Sequence, residues 1–358
     1  MSVTTAAREA TRGPATARSR PYSVGAVLIV ALLAALTLAV SLGPLDIPFS
    51  TVWGIVAHRL FGLGDPAGWP INEEIIVWQV RLPRALLALV VGAGLGVVGA
   101  VVQALVRNPL ADPYLLGISS GASLGAVTII VYGGAGALLG LGLPTAAFLG
   151  ALVAFVAVWA IARRGGGFAP MRLVLGGVAV GHLLSGLTSY VILQADDQQQ
   201  TNGVLFWMLG SLGGAEWRLL PVPATGLLLG LVLLLARARA LNALLVGDET
   251  AASLGIDVAR LRRELFVVTS AMTALMVSVS GAIGFVGLMV PHVVRLLAGA
   301  EHRRLLPLSA LAGALLLVVV DIVARTALEP EEIPIGVVTA LLGAPLFLYL
   351  LDRRLERA

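Results

Sequence analysis

Runs of about twenty apolar residues recur along the whole chain of 358 residues, and no other feature limits its fold so tightly. A run of that length crosses the hydrocarbon core of a bilayer as a helix. Punctuation by Arg, Pro, Gly and acidic clusters marks ten of them, at 24–42, 82–105, 113–132, 144–162, 171–194, 219–236, 265–283, 285–298, 306–326 and 334–351. Lipid offers the backbone no water to bond, so each run must close its own hydrogen bonds. The expected fold is therefore all-α, a polytopic membrane protein of about ten transmembrane helices. Composition agrees. Apolar residues are 58% of the chain and charged residues 12%, about half the charge of a soluble domain.

Several chemistries are excluded by missing residue types. There is no cysteine, hence no disulfide, thiolate metal site, iron–sulfur cluster or cysteine nucleophile. The four histidines, His58, His182, His292 and His302, show no HExxH spacing. All 24 basic residues are arginine, and without lysine a phosphate-binding P-loop cannot form. If ATP drives this protein, another chain hydrolyses it. The chain itself reads as a non-enzyme.

The arginines also set the orientation. The first apolar run is nearer 19 residues than the 7–15 of a signal-peptide core, so it reads as an uncleaved span. With the N-terminus inside, eighteen arginines fall on the inner side and Arg295 lies at the inner end of a span. Five fall outside: Arg59, Arg81, Arg84, Arg218 and Arg325. This is the positive-inside bias, and it accounts for the basic isoelectric point without nucleic acid. The segmentation is a cytoplasmic tail at 1–22, a membrane domain at 23–352 and a short cytoplasmic tail at 353–358. The first tail has the composition of a disordered segment. Both ends are expected inside, in the cytoplasmic (inner) membrane of a bacterium.

Charge within the spans is scarce. Asp321 is the one carboxylate well inside a span, with Arg325 a helical turn on; a structural pair is the expected reading. An ion-coupled secondary transporter would need more titratable groups at mid-membrane. Glycines at three- and four-residue spacing in 92–99 and 281–287 are expected to let helices pack closely. Ser119, Ser120 and Gly121 open a span with polar, flexible residues. At the outer end Trp78-Gln-Val-Arg81-Leu-Pro-Arg84 heads another, an unusual place for two cations. On the inner side, Gly247-Asp-Glu-Thr-Ala-Ala-Ser-Leu-Gly255 forms a glycine-bounded helical segment within a long loop, 237–264. Its acidic pair sits where a helix dipole favours negative charge.

These segments resemble one family. They are Trp78–Arg84, Gln103-Ala-Leu-Val-Arg-Asn-Pro-Leu-Ala-Asp-Pro, Leu116-Gly-Ile-Ser-Ser-Gly-Ala, Phe206-Trp-Met-Leu-Gly-Ser-Leu and Gly281-Ala-Ile-Gly-Phe-Val-Gly-Leu-Met-Val-Pro-His292. Asp321-Ile-Val-Ala-Arg325, Ile333-Pro-Ile-Gly-Val-Val-Thr339 and Leu342-Gly-Ala-Pro-Leu-Phe continue the match. Together they resemble the permease subunit of the type II ABC importers for iron–siderophores, haem and cobalamin, from about residue 75 to 351.

The resemblance implies a homodimer, or a heterodimer with a close paralogue, joined by two cytoplasmic ATPase subunits and an external substrate-binding protein. Arg81, Arg84 and Arg325 match the positions that meet glutamates of the binding protein. Gly247, Asp248, Glu249, Ala252, Leu254 and Gly255 match the element that enters a groove on the ATPase. The gate is expected around Ser119, Ser120, Gly121 and the fourth and fifth spans. His182 departs from the family's small or apolar residue; it reads as a histidine bonded within the bundle, with transient ligation of haem iron the lesser reading. The implied function is ATP-driven alternating access for an iron chelate, a ferric siderophore first, with haem or cobalamin as alternatives. This chain would bind no cofactor itself, ATP and Mg lying on the partner.

Overall fold

The computed structural model describes residues 15–43, 45–65, 68–133, 142–163, 170–329 and 331–355. The first fourteen residues and the last three, part of the two expected tails, lie outside that set. The described residues form fourteen helices: α1 (Ala15–Ser41), α2 (Phe49–Phe61), α3 (Ile71–Val106), α4 (Ile118–Tyr132), α5 (Leu143–Arg163), α6 (Pro170–Ile192), α7 (Gln198–Leu209), α8 (Pro221–Ala236), α9 (Ala238–Val246), α10 (Asp248–Ser253), α11 (Val258–Ser280), α12 (Val286–Ala298), α13 (His302–Thr326) and α14 (Ile335–Leu355). No named strand occurs among them. Seven helices are long and apolar enough to cross a membrane, and α4, α12 and the apolar part of α14 are shorter. These ten coincide with the ten expected runs.

Helix α3 is the axis of the bundle. Its apolar stretch is 89% buried, against 22% for α1 and for α8, and it packs on α11, α12 and α13. Such burial requires small residues, because helices in lipid gain their attraction from close packing. A β-carbon on Gly92 would lie 2.2 Å from the Gly313 carbonyl oxygen, and one on Gly313 equally close to that of Gly92. The expected close-packing role of the glycine repeats is what the helices show. The other lobe is α4 packed on α5 and α6.

Three boundaries differ from expectation. α1 begins at Ala15, so the expected tail is helical from there. α3 begins at Ile71, and a π-helical stretch, Ile76–Arg81, carries the first outer arginine. α11 begins at Val258, inside the expected loop 237–264, because Asp257 caps it by accepting from the Arg260 N–H at 2.9 Å.

Between α11 and α12 the chain leaves helical geometry at 281–285, where Gly281 and Phe285 have positive φ. At about 20 Å, α12 is shorter than a bilayer core, and the polar groups of the break find partners within the protein. The Tyr114 hydroxyl supplies two, donating to the Ile283 carbonyl at 2.8 Å and accepting from the Ile283 N–H at 2.7 Å. The Ser211 N–H donates to the Ser280 carbonyl, and the Ile335 N–H to that of Gly210, both at 2.9 Å.

Candidate functional site

At the end expected to be outside, the three singled-out arginines come together, but not on the surface. Arg81, Arg84 and Arg325 are 3–5% exposed. The last carbonyls of a helix have no partner within it and carry partial negative charge, and Arg81 and Arg325 both cap the end of α1. Arg81 donates to the carbonyl of Ser41 at 2.7 Å and to that of Leu45. Arg325 donates to Ala39 at 2.9 Å and to Leu42 at 3.3 Å. Gly43 permits this: a β-carbon there would sit 2.9 Å from the Arg81 guanidinium.

Arg84 faces Asp321 at 2.8 Å and Glu332 at 2.8 Å, and Arg325 completes the pair with Asp321 at 3.1 Å. The expected Asp321–Arg325 pair is present as part of a larger network. In the chain alone these cations bond its own carbonyls and carboxylates; the role expected for them, meeting a partner's glutamates, belongs to the assembly. The exposed cations described at this end are Arg59 and Arg218, paired with Glu74 and Glu216.

At the opposite end of α3, the glycine-bounded segment is the helix α10. Gly247 (φ 146°) and Gly255 (φ 79°) turn the chain in and out of it, conformations that favour glycine. Glu249, Ala252, Leu254 and Gly255 are exposed, as are the preceding Leu245 and Val246. Asp248 turns inward instead and bridges Arg107, just past α3, at 2.9 Å and Arg262, on α11, at 2.8 Å. A further tie comes from Asn242 on α9, whose side-chain oxygen accepts from the His302 N–H at 3.0 Å and lies 2.7 Å from its ring Nδ1. The unit α9–α10 is thereby joined to α3, α11 and α13. Arg107, Arg262 and Asn242 were not singled out from sequence; nothing in their local spacing marks partners so far along the chain.

The third expected cluster separates. Gly121 is buried where α4 crosses α5, its β-position 2.3 Å from the Gly150 carbonyl oxygen, so it lets the two helices pack closely. Ser119 and Ser120 are half-buried, and the Ser120 hydroxyl meets that of Ser185 on α6 at 3.5 Å. His182, one turn before Ser185, is exposed and has no bonded partner among the described residues, which corrects the expectation of a histidine tied into the bundle. The exposed face of α6 mixes His182, Ser185, Gly186 and Ser189 with Leu183, Leu187 and Tyr190. No group of three His, Cys, Asp or Glu able to hold a metal occurs among the described residues.

Comparison with known proteins gives consistent relatives. The FecCD transport family matches residues 30–353. The cobalamin import system permease protein BtuC of Halobacterium salinarum is 46% identical over 292 residues, covering 81% of this chain and 77% of that protein. The hemin transport system permease protein HmuU of Yersinia pestis is 40% identical, covering 93% and 96%. A solved metal-chelate type ABC transporter in an inward-facing conformation superposes with a TM-score of 0.78 at 32% identity, over 93% of this chain and 99% of that one.

Proposed function

The chain belongs to the FecCD transport family and is a permease of a type II ABC importer, and from that premise we propose that its cargo is a corrinoid of the cobalamin class. The observation that carries this is the 46% identity to a cobalamin permease. A second reading, haem, is favoured by the unpartnered imidazole of His182 on the exposed face of α6, since neutral imidazole is a good ligand for iron. A ferric siderophore, the cargo first expected from the resemblance, rests on the metal-chelate relative.

The assembly that fits is two copies of this chain, two cytoplasmic ATPases that hold ATP and Mg, and an external binding protein. Two observations support it. The polar face of α6 would be poorly placed against lipid and suits a pathway between two copies. The exposed Leu245, Val246 and Leu254 around α10 form an apolar surface suited to a groove on an ATPase. In this orientation the termini and α10 are cytoplasmic and the Asp321 network faces outward. Closure of the ATPases on ATP would move α10, and Asp248 and Asn242 would pass that movement to α3, α11 and α13. Nucleotide shifts such an equilibrium only by binding its states unequally.

The test is uptake into proteoliposomes containing this chain, its ATPase and its binding protein, with radiolabelled cobalamin, haem and a ferric siderophore in parallel. ATP-dependent accumulation of cobalamin alone is expected. Accumulation of haem or siderophore instead transfers the assignment to that cargo, and accumulation of any cargo without ATP overturns the importer reading.

A further inference from the structure

A groove of about 790 Å³ opens between α5, α8 and α11 at the end of the bundle that carries α10. One wall is apolar, formed by Trp159, Leu233, Val267 and Val268. Its rim is charged, with Arg237, Arg260, Arg263, Asp257 and Glu264. Glu264 is shared by two guanidinium groups, Arg237 at 2.9 Å and Arg260 at 3.1 Å. The Asp257 carboxylate is engaged in capping α11 through the Arg260 N–H. Arg263 is exposed and has no ion pair among the described residues. Arg163 adds another exposed cation one turn beyond Trp159 on α5. The rim therefore holds more positive charge than its own carboxylates neutralise.

What fills such a groove is decided by its wall. It continues into a face of α8 whose exposed residues Leu228, Leu229, Val232 and Leu233 are all apolar. That uniformity contrasts with the serine- and histidine-bearing face of α6, and it marks a surface against acyl chains. A water-filled path would meet this wall with polar groups. We propose that the groove is a binding site for an anionic phospholipid, its acyl chain along Trp159, Leu233 and Val267 and its phosphate held by Arg260 and Arg263. Basic pockets between spans at the cytoplasmic side hold acidic headgroups by this combination of charge and apolar contact. Arg237 ends α8 and Asp257 begins α11, so the lipid would bridge the two chain ends from which α9 and α10 hang. Bound lipid would steady the base of the coupling unit, a regulatory contact separate from cargo choice.

The test uses the location of Trp159. The full chain is placed in phosphatidylcholine nanodiscs, and tryptophan emission is followed as brominated phosphatidylglycerol or brominated phosphatidylcholine replaces the unlabelled lipid. Phosphatidylglycerol is expected to quench at lower mole fraction, and Trp159→Phe is expected to abolish that difference. Arg263→Gln should raise the half-quenching mole fraction of phosphatidylglycerol about fivefold, while quenching by brominated phosphatidylcholine stays unchanged and reports an intact wall. Equal quenching by the two lipids, or a preference that survives Trp159→Phe, would overturn the proposal. So would inorganic phosphate alone abolishing the preference, because the site would then be one for a free anion. Nanodiscs expose both leaflets and need neither ATPase nor cargo, so failure here is separate from failure of the importer reading.

Discussion

Asp321 is 1% exposed and faces two guanidinium groups, so its charge is what permits Arg84 and Arg325 to be buried beside it. Removing one member of a buried ion group leaves the others uncompensated, typically at about 3–5 kcal/mol. Asp321→Asn is therefore expected to lower the thermal unfolding temperature of the purified chain markedly. An unchanged unfolding temperature, with stronger docking of a binding protein, would support the docking role expected for these arginines. Their sequence positions were informative only in part. Arg81 and Arg84 could be placed at the head of a span and Arg325 near the end of another, at the same face of the membrane. Their burial was not legible, because the carbonyls that Arg81 meets are 36 to 41 residues away and no local pattern announces a distant helix end. Tyr114 was missed for the same reason: it satisfies a backbone break 169 residues on.

At the scale of elements, the parts that could be read were those with their own punctuation. Gly247 and Gly255 bound α10 because both have positive φ, and apolar runs located the seven helices long enough to cross a membrane together with the shorter α4, α12 and α14. The helix α7 was less visible, since its polar start, Gln198 to Asn202, reads as a connection until Asp197 is seen to cap it through the Gln200 N–H at 2.7 Å. What the sequence could not show is that α10 has two unlike sides. Its exposed side carries Glu249, Ala252 and Leu254, and its inward side ends in the Asp248 bridge to Arg107 and Arg262. Loss of these two functions should therefore be separable. Leu254→Asp is expected to weaken co-purification of the ATPase. Asp248→Asn is expected to leave co-purification intact while substrate-stimulated ATP hydrolysis falls several-fold, because the moving helix is no longer clamped to α3 and α11. Equal loss of binding in both variants would show that Asp248 contacts the ATPase instead.

Across the whole molecule, the distribution of charge is more consequential than its total. The chain has a formal charge of +4, yet with Arg81, Arg84 and Arg325 buried the proposed outer end presents mainly carboxylates. Asp46, Asp196, Asp197, Glu329 and Glu331 are exposed there, and the exposed Arg59 and Arg218 are paired with carboxylates. Complementary potentials steer encounter and fix orientation more than they add affinity. A binding protein steered by these exposed carboxylates should present basic residues to them, whereas one that reaches the three arginines should present the glutamates first expected. Glu329→Lys with Glu331→Lys is expected to slow association of the binding protein by about tenfold at low ionic strength, and to do so less as salt is raised, since screening at 0.15 M acts within about 8 Å. Neither residue contributes to the Asp321 network, so the fold should tolerate the change. Faster association in the double variant would mean that the partner's docking surface is acidic, and that these carboxylates oppose it until other cations are reached.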